Sequence, residues 1–141
     1  MVDALRESHR VLKDKGLLID LRPAAIHRRV GFTSGDGYRL QWVMRETFDD
    51  DRAADRAVVE VVRAGLFKAG RRSRFACYRV MDTIEDFRTW LADFISRGKC
   101  PSHDWLDRLV EQELEASGDH PAIVVSAPLS LQVLVRSAGS P

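Results

Sequence analysis

A short apolar run that directly follows a helical segment constrains this sequence more than any other feature. The run spans residues 17–21, with Gly16 before it and Pro23 after it, and one acid, Asp20, interrupts it. Its shortness and its flanking residues favour a buried strand over a helix. A nearly continuous apolar strand after a helix is typical of a parallel sheet that is covered on both faces. We therefore expect this strand to lie inside such a sheet.

The remainder of the chain alternates helical and extended patterns. Residues 29–33 and 38–45 predict a β-hairpin, because the Asp36-Gly37 pair between them supplies the positive φ angles of a tight turn. Helices are predicted up to Gly16, over 51–69 with Gly70 as the end, from Thr83 to Gly98 and from Ser102 onward, and strands over 73–81 and 122–135. This order indicates an α/β or α+β fold with one sheet, as a single domain over residues 1–136 and a frayed tail over 137–141.

The composition and the charge exclude several classes of protein. Lys and Arg number 22 and Asp and Glu number 21, so the formal net charge of +1 provides neither a basic nucleic-acid arm nor an acidic tail. No apolar run is long enough to span a membrane. The charged, helical start does not have the pattern of a signal peptide. We expect a cytoplasmic protein without membrane contact.

Two groups of chemically active side chains have simpler structural interpretations. The acids at 49–51 precede the helix predicted over 51–69, where capping and the helix dipole favour carboxylates, so we prefer this role to catalysis. The histidines are not spaced with carboxylates or thiols as metal ligands are, which gives no support for a metal site: His9, His27, His103 and His120.

Cysteines and arginines are the remaining candidates for reactivity and binding. Cys77 alternates with aromatic residues in a predicted strand and is expected in the core, whereas Cys100 lies beside Lys99 in a loop and is the more reactive candidate. The densest basic patch contains Arg63, Lys68, Arg71, Arg72 and Arg74. A helix C-terminus favours basic residues in any case, and the net charge is near zero, so nucleic-acid binding is the weaker interpretation.

The end of the first predicted strand is the best candidate for a ligand site. In open parallel sheets, ligands bind beyond the carboxyl ends of the strands, where Asp20 and Arg22 lie in this sequence. An acid inside an apolar strand is costly to bury without a partner, and Arg22 is the nearest partner. A structural ion pair and a ligand contact both remain open for these two residues, which we take as the substrate-facing candidates. No catalytic residue is assigned.

The segment before and into this strand carries a motif. Glu7, Arg10, Val11, Leu12 and Lys13 precede Gly16 and the apolar run. This segment resembles the class I S-adenosylmethionine-dependent methyltransferases, in which a helix ends in E-x-x-R-V-L-K-P-G-G and the fifth strand follows. Asp14 and Lys15 replace the Pro-Gly of that pattern. The motif covers about the first 23 residues.

The resemblance implies a partial fold. It implies an α/β arrangement that contains the fifth to seventh strands of a Rossmann-like methyltransferase sheet, with helices packed on it and residues 29–45 as an inserted β-hairpin. Residues 73–81 would form the sixth strand. Residues 122–135 would form an antiparallel seventh strand between the other two, and residues 83–117 a second insertion.

The resemblance also implies what this chain lacks. In the family, a Gly-rich loop and an acid upstream of such a segment bind the cofactor, so no cofactor is expected for this chain alone. S-adenosylmethionine would bind only if another subunit completed the site. The first strand would have an open hydrophobic edge, which we expect either the 29–45 hairpin or a second subunit to cover, as in a homodimer or a complex with a partner protein. The function implied is that of a truncated or degenerate methyltransferase-like protein that is inactive alone. The alternative is a non-catalytic oligomerising or partner-binding module.

Overall fold

The described part of the chain consists of two compact units that share two long strands. The computed structural model describes residues 1–34, 37–116 and 121–138. Its elements are α1 (Val2–Val11), β1 (Leu17–Pro23), β2 (Arg28–Ser34), β3 (Gly37–Met44), α2 (Asp49–Arg63), β4 (Phe67–Met81), α3 (Ile84–Ser96), α4 (Asp104–Ala116) and β5 (Ile123–Arg136). Unit 1 comprises Met1–Ala25, Phe48–Phe75 and Leu129–Pro141, and unit 2 comprises Ile26–Thr47 and Ala76–Pro128. Of the predicted tail, residues 139–141 lie outside the described residues.

In unit 1, the sheet is built around the second half of β5. β1 pairs with it in antiparallel orientation, from Leu17 opposite Val135 to Pro23 opposite Leu129. β4 also pairs with β5. The two backbones approach so closely that a Cβ added to Gly70 would lie 3.1 Å from the carbonyl oxygen of Val133. β5 therefore lies between β1 and β4. The prediction from the apolar run that β1 lies inside a parallel sheet is wrong, because its ladder with β5 is antiparallel.

The two faces of β1 have different environments. Leu18 packs against a core that α1, α2, β4 and β5 supply, namely Leu5, Ala57, Val58, Val61, Phe67 and Leu134. On the opposite face, Leu17, Ile19 and Leu21 are 55–64% exposed. The prediction of a strand covered on both faces is therefore wrong, because the two helices of unit 1 pack on one face of β1 and leave the other face exposed.

In unit 2, the predicted hairpin is confirmed. β2 and β3 pair in antiparallel orientation, from Arg28 opposite Met44 to Ser34 opposite Gly37. Of the predicted turn between the two strands, residues 35–36 lie outside the described residues. β2 also pairs with the first half of β5, where Val30 lies opposite Val125. The hairpin thus extends the sheet from β5, and among the described residues it forms no ladder with β1. Of the two expected covers for the edge of β1, the hairpin or a second subunit, the first is therefore not found as a paired strand.

The core of unit 2 forms where α3 and α4 pack on the sheet. Its buried members are Val30, Phe32, Met44, Met81, Phe87, Leu91, Phe94, Cys100, Leu106, Val110, Ile123 and Val125. The predicted start of α3 is confirmed, because the Thr83 hydroxyl accepts a hydrogen bond from the Asp86 N–H at 3.1 Å. This contact satisfies one of the free N–H groups at the start of the helix.

Glycines in the left-handed conformation end two helices. Gly65 has a φ of 74°, its N–H donates to the Val62 carbonyl, and the Leu66 N–H donates to the Val61 carbonyl. These two bonds form a Schellman motif, which stops α2 at Arg63. The predicted helix over 51–69 is therefore too long at its C-terminal end. The predicted end of α3 at Gly98 is confirmed, with a φ of 66° at that residue.

A lysine has the left-handed conformation in the turn between α1 and β1. Lys15 has a φ of 61°, a region that L-residues other than Gly and Asn rarely adopt. α1 ends at Val11, earlier than the predicted end at Gly16. The chain then turns into β1 with Gly16 N–H donating to the Lys13 carbonyl at 2.8 Å. The tight turn therefore holds Lys15 in a strained backbone conformation.

We predict that Gly31→Ala strongly destabilises unit 2. The ladder between β2 and β3 shifts register between Val30 and Gly31, and a Cβ at Gly31 would lie 1.9 Å from the Arg39 carbonyl oxygen. Because backbone must move to relieve this overlap, the free energy of unfolding should fall by about 3 kcal/mol in urea denaturation. Gly37→Ala is the matched control in the same hairpin, since a Cβ there has no neighbour within 4 Å. Equal losses for the two variants would contradict this explanation.

We predict that Lys15→Gly stabilises the chain. Glycine adopts a φ of 61° without the steric cost that a Cβ carries, so thermal or urea unfolding should show a gain of about 1 kcal/mol. Lys13→Gly is the control, because Lys13 does not have a positive φ and the substitution only adds freedom to the unfolded chain. A loss of stability in Lys15→Gly comparable to that in the control would contradict the prediction.

Candidate functional site

The two residues predicted to face a ligand bind each other on the covered face of β1. The Nε of Arg22 donates to Oδ2 of Asp20 at 2.9 Å, and both side chains are only 12–13% exposed. The two residues are separated by one position on the strand, so they share a face. Because both side chains are largely buried, each charge compensates for the hydration that the other has lost. This explains how the apolar strand accommodates an acid.

Arg22 is also anchored by α2. Its Nη2 lies 2.9 Å from Oδ1 of Asp55, and its Nη1 donates to the Asp51 carbonyl oxygen at 3.3 Å. All three nitrogens of the guanidinium group therefore have protein acceptors. This geometry is that of an ion pair that fixes the strand to the helix, while a direct substrate contact for Asp20 and Arg22 stays a prediction.

Asp55 and Arg72 form the exposed part of the same network. Oδ1 of Asp55 also accepts from Nη2 of Arg72 at 3.3 Å, and the Nε of Arg72 donates to the Ser130 hydroxyl at 3.2 Å. The side chains of Asp55 and Arg72 are 43% and 42% exposed. A cavity of about 460 Å³ opens beside them, lined by Asp55, Val58, Val59, Val62, Arg63, Ala69, Arg72 and Gln132. The charged groups that solvent reaches are thus Asp55 and Arg72. They are not the predicted Asp20 and Arg22, to which they are connected through the pair between Asp55 and Arg22.

Sequence reasoning missed these exposed members for identifiable reasons. Asp55 follows Asp51 by one helical turn, and this i, i+4 spacing was an available signal that both lie on one side of α2. Arg72 was assigned to a basic patch after a helix, whereas it lies on β4, together with Lys68, Arg71 and Arg74. Arg72 is paired with Asp55, so the patch on this strand is partly neutralised.

The acids at 49–51 occupy the first turn of α2. The helix begins at Asp49, and the residue before it, Phe48, makes no side-chain capping hydrogen bond. Carboxylates in the first turn interact favourably with the positive end of the helix dipole, as the sequence pattern led us to expect.

His103 is buried next to a cleft between α3 and α4. It is 3% exposed, and its Nε2 lies 3.1 Å from the Arg45 carbonyl oxygen. Because a carbonyl can only accept, Nε2 carries a proton and donates it, and Nδ1 has no hydrogen-bond partner among the described residues. The ranges 1–34, 37–116 and 121–138 contain no group of three His, Cys, Asp or Glu side chains placed to hold a metal ion.

The two cysteines have the opposite environments from those predicted. Cys77 is exposed on β4, whereas Cys100 is 5% exposed in the core of unit 2. Burial raises the pKa of the Cys100 thiol, and the nearby Glu46 carboxylate adds to this effect. Strand alternation with aromatic residues was a misleading signal for Cys77, because Phe75 and Tyr78 are also exposed on this strand.

Comparisons with protein-family models, with curated proteins and with solved structures find no match for this chain. Among the described residues, no helix is both long enough and apolar enough to cross a membrane.

We predict that Asp20 and Arg22 are strongly coupled. Arg22→Met leaves a nearly buried carboxylate without its partner and should lower the free energy of unfolding by about 3–5 kcal/mol. In Asp20→Asn/Arg22→Met, the loss should be smaller than the sum of the single losses, by about 1–3 kcal/mol in a urea double-mutant cycle.

The exposed pair between Arg6 and Glu60 provides the matched control in the same unit. Its nitrogen–oxygen distance is 3.2 Å, but the side chains are 57% and 54% exposed. Arg6→Met should therefore cost less than about 1 kcal/mol. Similar costs for Arg6→Met and Arg22→Met, or additive losses in the cycle, would contradict the assignment of a buried ion pair.

Proposed function

We propose that this chain is the carboxyl-terminal half of a class I S-adenosylmethionine-dependent methyltransferase-like domain. The observation that carries the proposal is the position of β5 between β1 and β4 in unit 1. In the family, an antiparallel seventh strand lies between the fifth and sixth strands. We assign β1, β5 and β4 to these three strands, and α2 lies between β1 and β4 along the chain.

The turn after α1 supports the same proposal. The family pattern has glycine where this sequence has Lys15, and Lys15 has the left-handed φ that glycine favours. The backbone of the turn is thus compatible with a glycine at this position, as in the family pattern, although the residue differs. Gly16 follows with a carbonyl oxygen 2.7 Å from where its Cβ would be, which favours glycine at this second position as well.

The exposed face of β1 is consistent with a larger domain in which further strands and helices would cover it. Leu17, Ile19 and Leu21 form an exposed apolar row on one face of β1, and such a row is typical of a surface that another element or chain covers. Among the described residues, β5 is the strand that pairs with β1, so the second edge of β1 offers free backbone N–H and carbonyl groups. A further strand with its helices would satisfy both this face and this edge.

Roles are proposed only for residues that this chain contains. The chain carries neither the Gly-rich loop nor the acid that bind the cofactor in the family, so no residue is assigned to S-adenosylmethionine and no methyl-transfer step is derived. Substrates of the family approach the carboxyl ends of the strands. Asp20 and Arg22 therefore remain the proposed substrate-side residues, with Asp55 and Arg72 as the exposed groups beside them.

A non-catalytic oligomerising or partner-binding module is the second candidate. The same exposed face and free edge of β1 favour it, because backbone pairing along an edge strand is a common way to join two chains. The two candidates differ in whether the assembled protein binds the adenosyl cofactor.

We predict that Ile19→Arg abolishes association through β1. Ile19 is 64% exposed, so the substitution should change the free energy of unfolding by less than about 0.5 kcal/mol. It places a charge in the centre of the exposed face of β1. Sedimentation velocity over a range of protein concentrations should show assembly for the wild type and a monomer for the variant. Val11→Arg is the matched control, since Val11 is 63% exposed but lies at the end of α1.

Calorimetric titration with S-adenosylhomocysteine then separates the two candidates. Saturable binding that is present in the wild-type assembly and absent in Ile19→Arg supports the methyltransferase-like proposal. Assembly without any heat of binding favours the oligomerising module. A wild-type chain that stays monomeric, or an Ile19→Arg variant that assembles like Val11→Arg, would overturn the proposed use of β1.

A further inference from the structure

A cleft in unit 2 combines arginine side chains with aromatic surfaces. It lies beside α3 and the unit 2 portions of β4 and β5, and its volume is about 430 Å³, within the range of small-molecule sites. The lining residues are Arg28, Cys77, Tyr78, Arg79, Trp90, Phe94, Arg97, Val125 and Ala127. None of them belongs to the Asp20–Arg22 network.

The charge of this cleft is positive. Arg28 forms an ion pair with Glu46, which is nearly buried, and Arg97 forms one with Asp93 on the preceding turn of α3. Arg79 forms no ion pair with any residue in the described part of the chain. The cleft thus has one guanidinium group more than the carboxylates that pair with its arginines, and an anion would supply the missing charge.

The aromatic lining is arranged around one of these arginines. The rings of Trp90 and Phe94 stack with centroids 5.4 Å apart and an interplanar angle of 21°. The guanidinium carbon of Arg28 lies 4.5 Å from the centroid of the Phe94 ring. The buried Glu46 accepts from both the backbone N–H and the side chain of Arg28, so this cation is held in place before any ligand arrives.

The outer wall of the cleft is also aromatic and accessible. Tyr78 is 44% exposed, and its ring stacks on Tyr38 with centroids 4.7 Å apart. Val125 at the floor is almost fully buried, at 1% exposed. A planar ring that enters this cleft therefore meets aromatic and apolar side chains, while arginines lie within the same lining.

We propose that this cleft binds a small molecule in which a planar ring carries an oxyanion, either a phosphate or a carboxylate. The guanidinium fork of arginine matches both oxyanions with two hydrogen bonds. The ring would stack on the aromatic lining. An extended nucleic acid fits less well, because the other arginine-rich surface, on the unit 1 part of β4, is partly neutralised by the pair between Arg72 and Asp55.

Isothermal titration calorimetry with four probes tests the proposal. Adenosine 5′-monophosphate and benzoate represent the two oxyanions on a ring, inorganic phosphate lacks the ring, and adenosine lacks the charge. At least one of the ringed anions should bind saturably below about 1 mM, and inorganic phosphate and adenosine should each bind at least about tenfold more weakly. Whether the nucleotide or the carboxylate binds more tightly identifies the source of the oxyanion.

Variants at exposed positions locate the binding to this cleft. Arg79→Gln should weaken binding about tenfold, since it removes the cation that has no protein counterion. Arg74→Gln is the matched control on the same strand, because Arg74 is exposed and does not line the cleft. Trp90→Leu should weaken the ringed anions more than inorganic phosphate.

Three results would overturn the proposal. They are the absence of heat with both ringed anions, equal affinity for inorganic phosphate and adenosine 5′-monophosphate, and equal effects of Arg79→Gln and Arg74→Gln. A single-stranded oligonucleotide that binds more tightly than the mononucleotide and loses affinity in both arginine variants would likewise contradict a small-molecule site and indicate nucleic-acid binding.

Discussion

Backbone pairing along β5 is the interaction on which the sheet depends in both units. Residues 123–126 of this strand pair with β2, residues 129–135 pair with β1, and β4 also pairs with it. β5 is the last element along the described chain, so these ladders join residues that are far apart in sequence. Closing such long loops costs conformational entropy before pairing gives any gain, whereas the ladder between β2 and β3 closes only a short turn.

The Asp20–Arg22–Asp55 contacts show how unit 1 accommodates charge on its covered face. A carboxylate inside an apolar strand destabilises a fold unless cations or N–H groups compensate for its lost hydration. Here one guanidinium serves Asp20 on β1 and Asp55 on α2, with distances of 2.9 Å to each. The arrangement ties helix to strand by geometry that apolar packing alone would not specify, and it leaves Asp55 and Arg72 as the groups that a polar ligand can reach.

Local sequence patterns predicted where helices and strands lie better than they predicted which strands pair with each other. The apolar run at β1, the hairpin and the Thr83 cap depend on neighbouring residues, and the structure contains all three. The orientation of the pairing of β1 and the exposure of Cys77 depend on which distant strand lies alongside, and the sequence pattern does not encode that choice. For the site, Asp20 and Arg22 were found because they adjoin in sequence. Arg72 was missed because the sequence predicted a helix as far as Gly70. Gly65 ends α2 instead, so Arg72 lies within β4 and not in a loop after the helix.

The stacked tyrosines of unit 2 have an optical consequence. Tyr38 on β3 and Tyr78 on β4 come from distant parts of the sequence, yet their rings lie 4.7 Å apart with an interplanar angle of 23°. Aromatic chromophores held at this separation in one fixed orientation couple their electronic transitions, whereas freely rotating phenols do not. The near-ultraviolet circular dichroism of this protein should therefore include a coupled tyrosine contribution from this tertiary contact, which reports the joining of the hairpin to β4 without any label.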